Sequence, residues 1–158
     1  MQDKIRKYSH DIYISGLGVV ILGFWSLVKT ILSITAGAAQ GFNPDEYEGF
    51  ERIVFTVVFW TIILIASAFV LWIHMFIGIN AMKVGRGERR KKRFLIVCFL
   101  LMVFLIFELP TYFFTLSTEE AFDTALAAIT VDLTMIFLLG SILYSNKQIS
   151  KLNNKKRK

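Results

Sequence analysis

Four long apolar blocks, at about residues 12–34, 53–82, 94–115 and 121–144, decide most of what this chain can become. Each has the ~20 residues that an α-helix needs to cross ~30 Å of hydrocarbon. Lipid offers backbone N–H and C=O groups no partner, so segments of this kind must be helical. They are also too continuous to be the short alternating strands of an outer-membrane barrel. The expected fold is all-α: an integral membrane four-helix bundle with short connecting loops, a single transmembrane domain over residues 1–158. Helices are expected at about 12–38, 44–82, 89–115 and 118–146, with a basic cytoplasmic tail at 147–158.

Composition narrows the class. The chain is 55% hydrophobic and 19% charged, with a mean hydropathy of +0.57, which is the wrong balance for a water-soluble globule. One cysteine excludes an internal disulfide framework, and two histidines leave few ways to ligate a metal. No metal or cofactor is expected.

The punctuation between blocks agrees with four helices. Asn43-Pro44-Asp45-Glu46 reads as an N-cap, a proline at the first helical position and an acidic first turn. Ser117-Thr118-Glu119-Glu120 has capping-box spacing and should start the fourth helix. Gly85-Arg86-Gly87 separates the second helix from the third, and Pro110 loosens the third near its end.

Charge predicts direction. Sixteen of the eighteen Lys and Arg residues fall in the N-terminal segment, the second loop and the C-terminal tail. The other two connections carry Asp45, Glu46, Glu48, Glu51, Glu119, Glu120 and Asp123, with Arg52 as their basic residue. The positive-inside rule therefore predicts an N-in/C-in topology. The first helix is expected to be retained, because Lys29 interrupts what would otherwise resemble the end of a cleaved signal.

Helices in lipid associate through close packing of small residues. Gly23, Ser26, Thr30, Ser33 and Gly37 follow a 3-4-3-4 spacing on the first helix, with Gly16 one heptad earlier. This seam is expected at the bundle centre or at a dimer contact. Ser67, Leu71, His74, Gly78 and Ala81 form a weaker stripe on the second helix, and Ala121, Ala125, Ala128 and Asp132 share a face of the fourth. The third helix is apolar nearly all round, so it should have the largest contact with lipid or a partner.

Four ionisable side chains fall within the spans: Lys29, His74, Glu108 and Asp132. A charge at that depth costs about 2.5–3.5 kcal/mol on insertion scales, which makes each a candidate functional residue. From the cytoplasmic end, at ~1.5 Å per residue, Lys29 lies near ~25 Å, Glu108 near ~21 Å and Asp132 near ~18 Å. His74 is shallower, near ~12 Å. An intramembrane cluster of Lys29, Glu108 and Asp132 is the expectation. It would serve either as a proton- or ion-responsive site, extended inward by His74, or as an ion pair that fixes helix register.

The basic run Arg86, Arg89, Arg90, Lys91, Lys92 and Arg93 lies immediately beside a span. Contact with anionic lipid headgroups explains it better than nucleic acid, for which no folded module or aromatic platform is present. The tail ends in a dilysine pattern, which would matter in a eukaryotic cell. The Phe-, Ile- and Lys-rich usage instead suits the plasma membrane of a low-GC bacterium.

Phosphate-cradling glycine loops, HExxH and GxSxG are all missing. The chain is similar to small multidrug transporters in helix count alone, with Lys29 in the helix where that family has a glutamate. Fluoride channels share its phenylalanine content but not its polar residues. Tetraspan families with disulfide-bonded outer loops are excluded by the single Cys98. The expected function is non-catalytic: an accessory, scaffold or oligomer-forming subunit that meets a membrane-protein partner or a second copy through helix contacts. The alternative is a small proton- or ion-coupled transporter or channel.

Overall fold

The computed structural model describes residues 2–41, 49–88, 93–115 and 122–157. Side chains are described for these except 29–30, 32–41, 113–115, 122–125 and 156–157. Four helices result: α1 (Gln2–Gly41), α2 (Gly49–Gly85), α3 (Arg93–Thr115) and α4 (Phe122–Arg157). The stretches Gln2–Val28, Gly49–Gly85, Arg93–Tyr112 and Leu126–Lys155 are each long and apolar enough to cross a membrane. The fold is all-helical, as the apolar blocks predict.

Helix boundaries follow local chemistry more than hydropathy. Residues 2–11 and 145–157 contain neither glycine nor proline, so α1 and α4 run past their apolar blocks. Lys, Arg and Gln in those extensions are good helix formers, and Asp3 in the first turn of α1 suits the positive end of the helix dipole. The end of α2 is a Schellman cap. The Gly87 N–H donates to Val84 O at 2.9 Å and the Glu88 N–H to Lys83 O at 3.1 Å, which requires Gly87 to adopt φ +85°. Pro110 is carried inside α3, which continues to Thr115. The Asn43 and Ser117 caps lie outside the described residues.

The chain divides into two compact units. The larger comprises residues 1–22 and 74–158, the smaller residues 23–73. In the larger unit the buried apolar residues are Ile12 and Val19 from α1, Ile77 and Ala81 from α2, Phe94, Cys98 and Leu105 from α3, and Met135, Leu139 and Ile142 from α4. Their three- and four-residue spacings define one inward stripe per helix. Two helices approach to backbone contact within this unit. A Cβ placed on Gly78 would stand 2.6 Å from Gly16 O, and one placed on Gly16 would stand 2.9 Å from Gly78 O. Only glycine at both positions allows that approach, which is how packing is gained where the hydrophobic effect gives none. Gly18 similarly receives the Leu138 side chain of α4.

In the smaller unit the surface is apolar. Phe24, Trp25, Phe50, Ile62, Leu64 and Ile65 are all exposed. Such a surface would drive association in water but is the ordinary contact with hydrocarbon. The Thr56 and Thr61 hydroxyls donate to the carbonyls of Arg52 and Val57, four residues back, at 2.8 and 2.7 Å. Both exposed hydroxyls thereby hydrogen-bond without water. Between residues 49 and 73 the buried side chains are Ile63 and Ser67, and 11% of the most apolar stretch of α2 is buried, close to the 17% of α3, the helix expected to have the largest contact with lipid or a partner. Aromatic and β-branched residues surround α2 almost uniformly between 50 and 72, which leaves no dominant inward face there.

Candidate intramembrane polar site

The inward stripe of α4 begins with a carboxylate. Asp132 precedes Met135, Leu139 and Ile142 at helical spacing and is 1% exposed. On α3, Glu108 and Tyr112 are four residues apart and so share a face. The Tyr112 hydroxyl lies 2.9 Å from Glu108 Oε1 and 2.9 Å from Asp132 Oδ2, bridging one helix to the next. Pro110 sits between Glu108 and Tyr112 and withholds one backbone N–H from the ladder beside the cluster.

The bridge has a simple proton count. A phenol carries one proton and donates it to one carboxylate at a time. The second short contact becomes a hydrogen bond when the other carboxyl carries a proton and donates to the phenolic oxygen. Three oxygens in a row therefore suit a shared proton, in a setting where unpaired charge is costly.

Of the four ionisable residues singled out from sequence, Glu108 and Asp132 are brought together, through Tyr112. The Lys29 side chain lies outside the described residues. His74 is buried on α2, 3% exposed, on the same inward stripe as Gly78 and Ala81. Tyr112 was not singled out from sequence. Its spacing from Glu108 and its depth near Asp132 were the available signal, masked by its position in an otherwise apolar helix.

The helix-packing seam is described in part. Gly16 and Gly23 are buried and Ser26 is half-buried, whereas Thr30, Ser33 and the surroundings of Gly37 lie outside the described side chains. Among the basic residues, Arg86 and Arg93 are exposed at the end of α2 and the start of α3, and residues 89–92 lie outside the description. Among the described residues no three His, Cys, Asp or Glu side chains gather to hold a metal ion.

Four long apolar helices with an outward hydrocarbon surface define a polytopic membrane protein in contact with the lipid bilayer. Compared with protein-family models, curated proteins and solved structures, the chain matches none.

Proposed function

We propose that this is a non-catalytic membrane protein that works through helix–helix contacts, as an accessory, scaffold or oligomer-forming subunit. Both termini would lie in the cytoplasm, on the strength of the sixteen basic residues at one side, and a bacterial plasma membrane is the proposed location. The observation that supports the helix-contact reading is a set of three side-chain bonds in the larger unit that cross from one helix to another. Ser15 Oγ donates to Ser141 Oγ at 3.1 Å, Cys98 Sγ to Leu139 O at 3.7 Å, and the Tyr112 hydroxyl reaches Asp132. Each bond joins two helices. The outward apolar face of α2 adds a surface that lipid or a second membrane helix can cover. Native mass spectrometry from lipid nanodiscs is expected to show a homo-oligomer or a co-purifying membrane partner. A strict monomer without a partner contradicts the reading.

A second reading has one specific observation in its favour. The Glu108–Tyr112–Asp132 row joins two carboxyl groups through one phenol across α3 and α4, a contact that a proton-coupled transporter or channel would use. Proton flux into proteoliposomes that Asp132→Asn abolishes is the result expected of it.

A further inference from the structure

We propose that the cleft between the first turns of α1 and the end of α2 binds the phosphate headgroup of an anionic membrane lipid. The cleft measures about 730 Å³ and is lined by Asp3, Arg6, Lys7, His10, Tyr13 and Arg86, together with Ser9 and Gly85. All belong to the larger unit.

The site is assembled by helix periodicity and one close approach. Arg6, His10 and Tyr13 follow i, i+4, i+7 spacing and so share a face of α1. A Cβ on Gly85 would stand 2.7 Å from Ser9 O and 2.7 Å from Tyr13 Cβ, so the two helices touch here. That contact brings the next residue, Arg86, over the Tyr13 ring with its guanidinium 5.4 Å from the centroid. Arg6, Lys7 and Arg86 line the cleft together with one carboxylate, Asp3, and arginine presents the planar fork that fits phosphate oxygens. The Schellman bonds at Gly87 and Glu88 occupy carbonyls of the α2 terminus that would otherwise repel an anion.

Two further features select a lipid over a soluble phosphate ester. Tyr8 meets Tyr144 edge-on at 6.3 Å near the cleft's level on α1, and tyrosines of this kind mark the headgroup layer. The cleft face of α1 also continues, at three- and four-residue spacing, into exposed Ile14, Leu17 and Ile21. An acyl chain can lie along that stripe with its phosphate among the cations. The proposal needs only that the chain spans the bilayer. It stands apart from the helix-contact reading and from the direction of insertion.

The test uses the full-length protein in detergent micelles and native mass spectrometry. The probes are phosphatidylglycerol, phosphatidylcholine with the same acyl chains, and glycerol phosphate as the soluble competitor. Phosphatidylglycerol is expected to be retained over phosphatidylcholine, and Arg6→Gln or Arg86→Gln to weaken it about fivefold each. Arg6 lies away from the Arg86–Tyr13 contact, so its variant reports on charge without disturbing that stacking. Lys151→Gln and Lys155→Gln remove the same charge from α4 and are expected to leave retention unchanged. Equal retention of the two lipids overturns the proposal. So does an equal loss in the α4 variants, or displacement of phosphatidylglycerol by glycerol phosphate at comparable concentration.

Discussion

Gly78→Ala is expected to destabilise the protein by about 1–3 kcal/mol, the usual cost of forcing an added methyl into a packed interface. A Cβ there meets Val20 Cγ2 at 2.5 Å and Gly16 O at 2.6 Å. The valine methyl can turn aside, but the carbonyl belongs to the α1 backbone and moves only if the whole helix does. Gly78→Leu should therefore keep α1 and α2 apart altogether. Gly140→Ala is the matched control, because nothing lies within 4 Å of its Cβ. Having no clash, it should be neutral or stabilising by up to about 1 kcal/mol through helix propensity. Detergent-titration unfolding in mixed micelles measures all three. If Gly78→Ala unfolds alongside Gly140→Ala, the backbone contact between α1 and α2 is wrong.

The second large effect concerns the bridge from α3 to α4. Asp132→Ala removes the acceptor on α4 and leaves the half-buried Tyr112 hydroxyl bonded to Glu108 alone, so the bond between α3 and α4 is lost at a cost of about 0.5–1.5 kcal/mol. Tyr112→Phe removes the same bond from the other side. A double-mutant cycle between the two should give a coupling of about 0.6 kcal/mol and at most about 1.7, the average and the upper end for hydrogen bonds between membrane helices. Additive effects would mean that Tyr112 and Asp132 act independently. The same residue separates the two functional readings. With a helix-contact role, proteoliposomes of the wild type and of Asp132→Asn conduct protons no faster than empty vesicles. Proton flux in the wild type that Asp132→Asn abolishes would favour transport.

The four helices were readable because a bilayer leaves so little choice: an apolar run of about twenty residues has to satisfy its own backbone. The stop after α2 was equally legible, since Gly85-Arg86-Gly87 supplies the positive-φ residue that a helix cap needs. The outer ends of α1 and α4 were harder to read. Hydropathy marks where oil ends, whereas helix propensity continues through Lys, Arg and Gln beyond it. Depth along the helix put Glu108 and Asp132 at overlapping levels, but it could not reveal the side chain between them. Tyr112 counts as one more aromatic in a Phe-rich helix until its hydroxyl is placed. The small-residue stripe on α1 was visible, but its tight partner was not: spacing alone does not say that Gly16 faces Gly78.

Everything rests on the chain crossing the bilayer repeatedly, and labelling at two positions tests this most directly. Phe50 and Glu88 are both exposed, at the start and just past the end of α2, and Cys98 is buried. Single-cysteine variants Phe50→Cys and Glu88→Cys, built on Cys98→Ser, would be treated in closed vesicles with a membrane-impermeant maleimide. Modification from opposite sides of the membrane is the expected result. Modification of both positions from the same side would contradict a spanning α2 and the four-span protein with it.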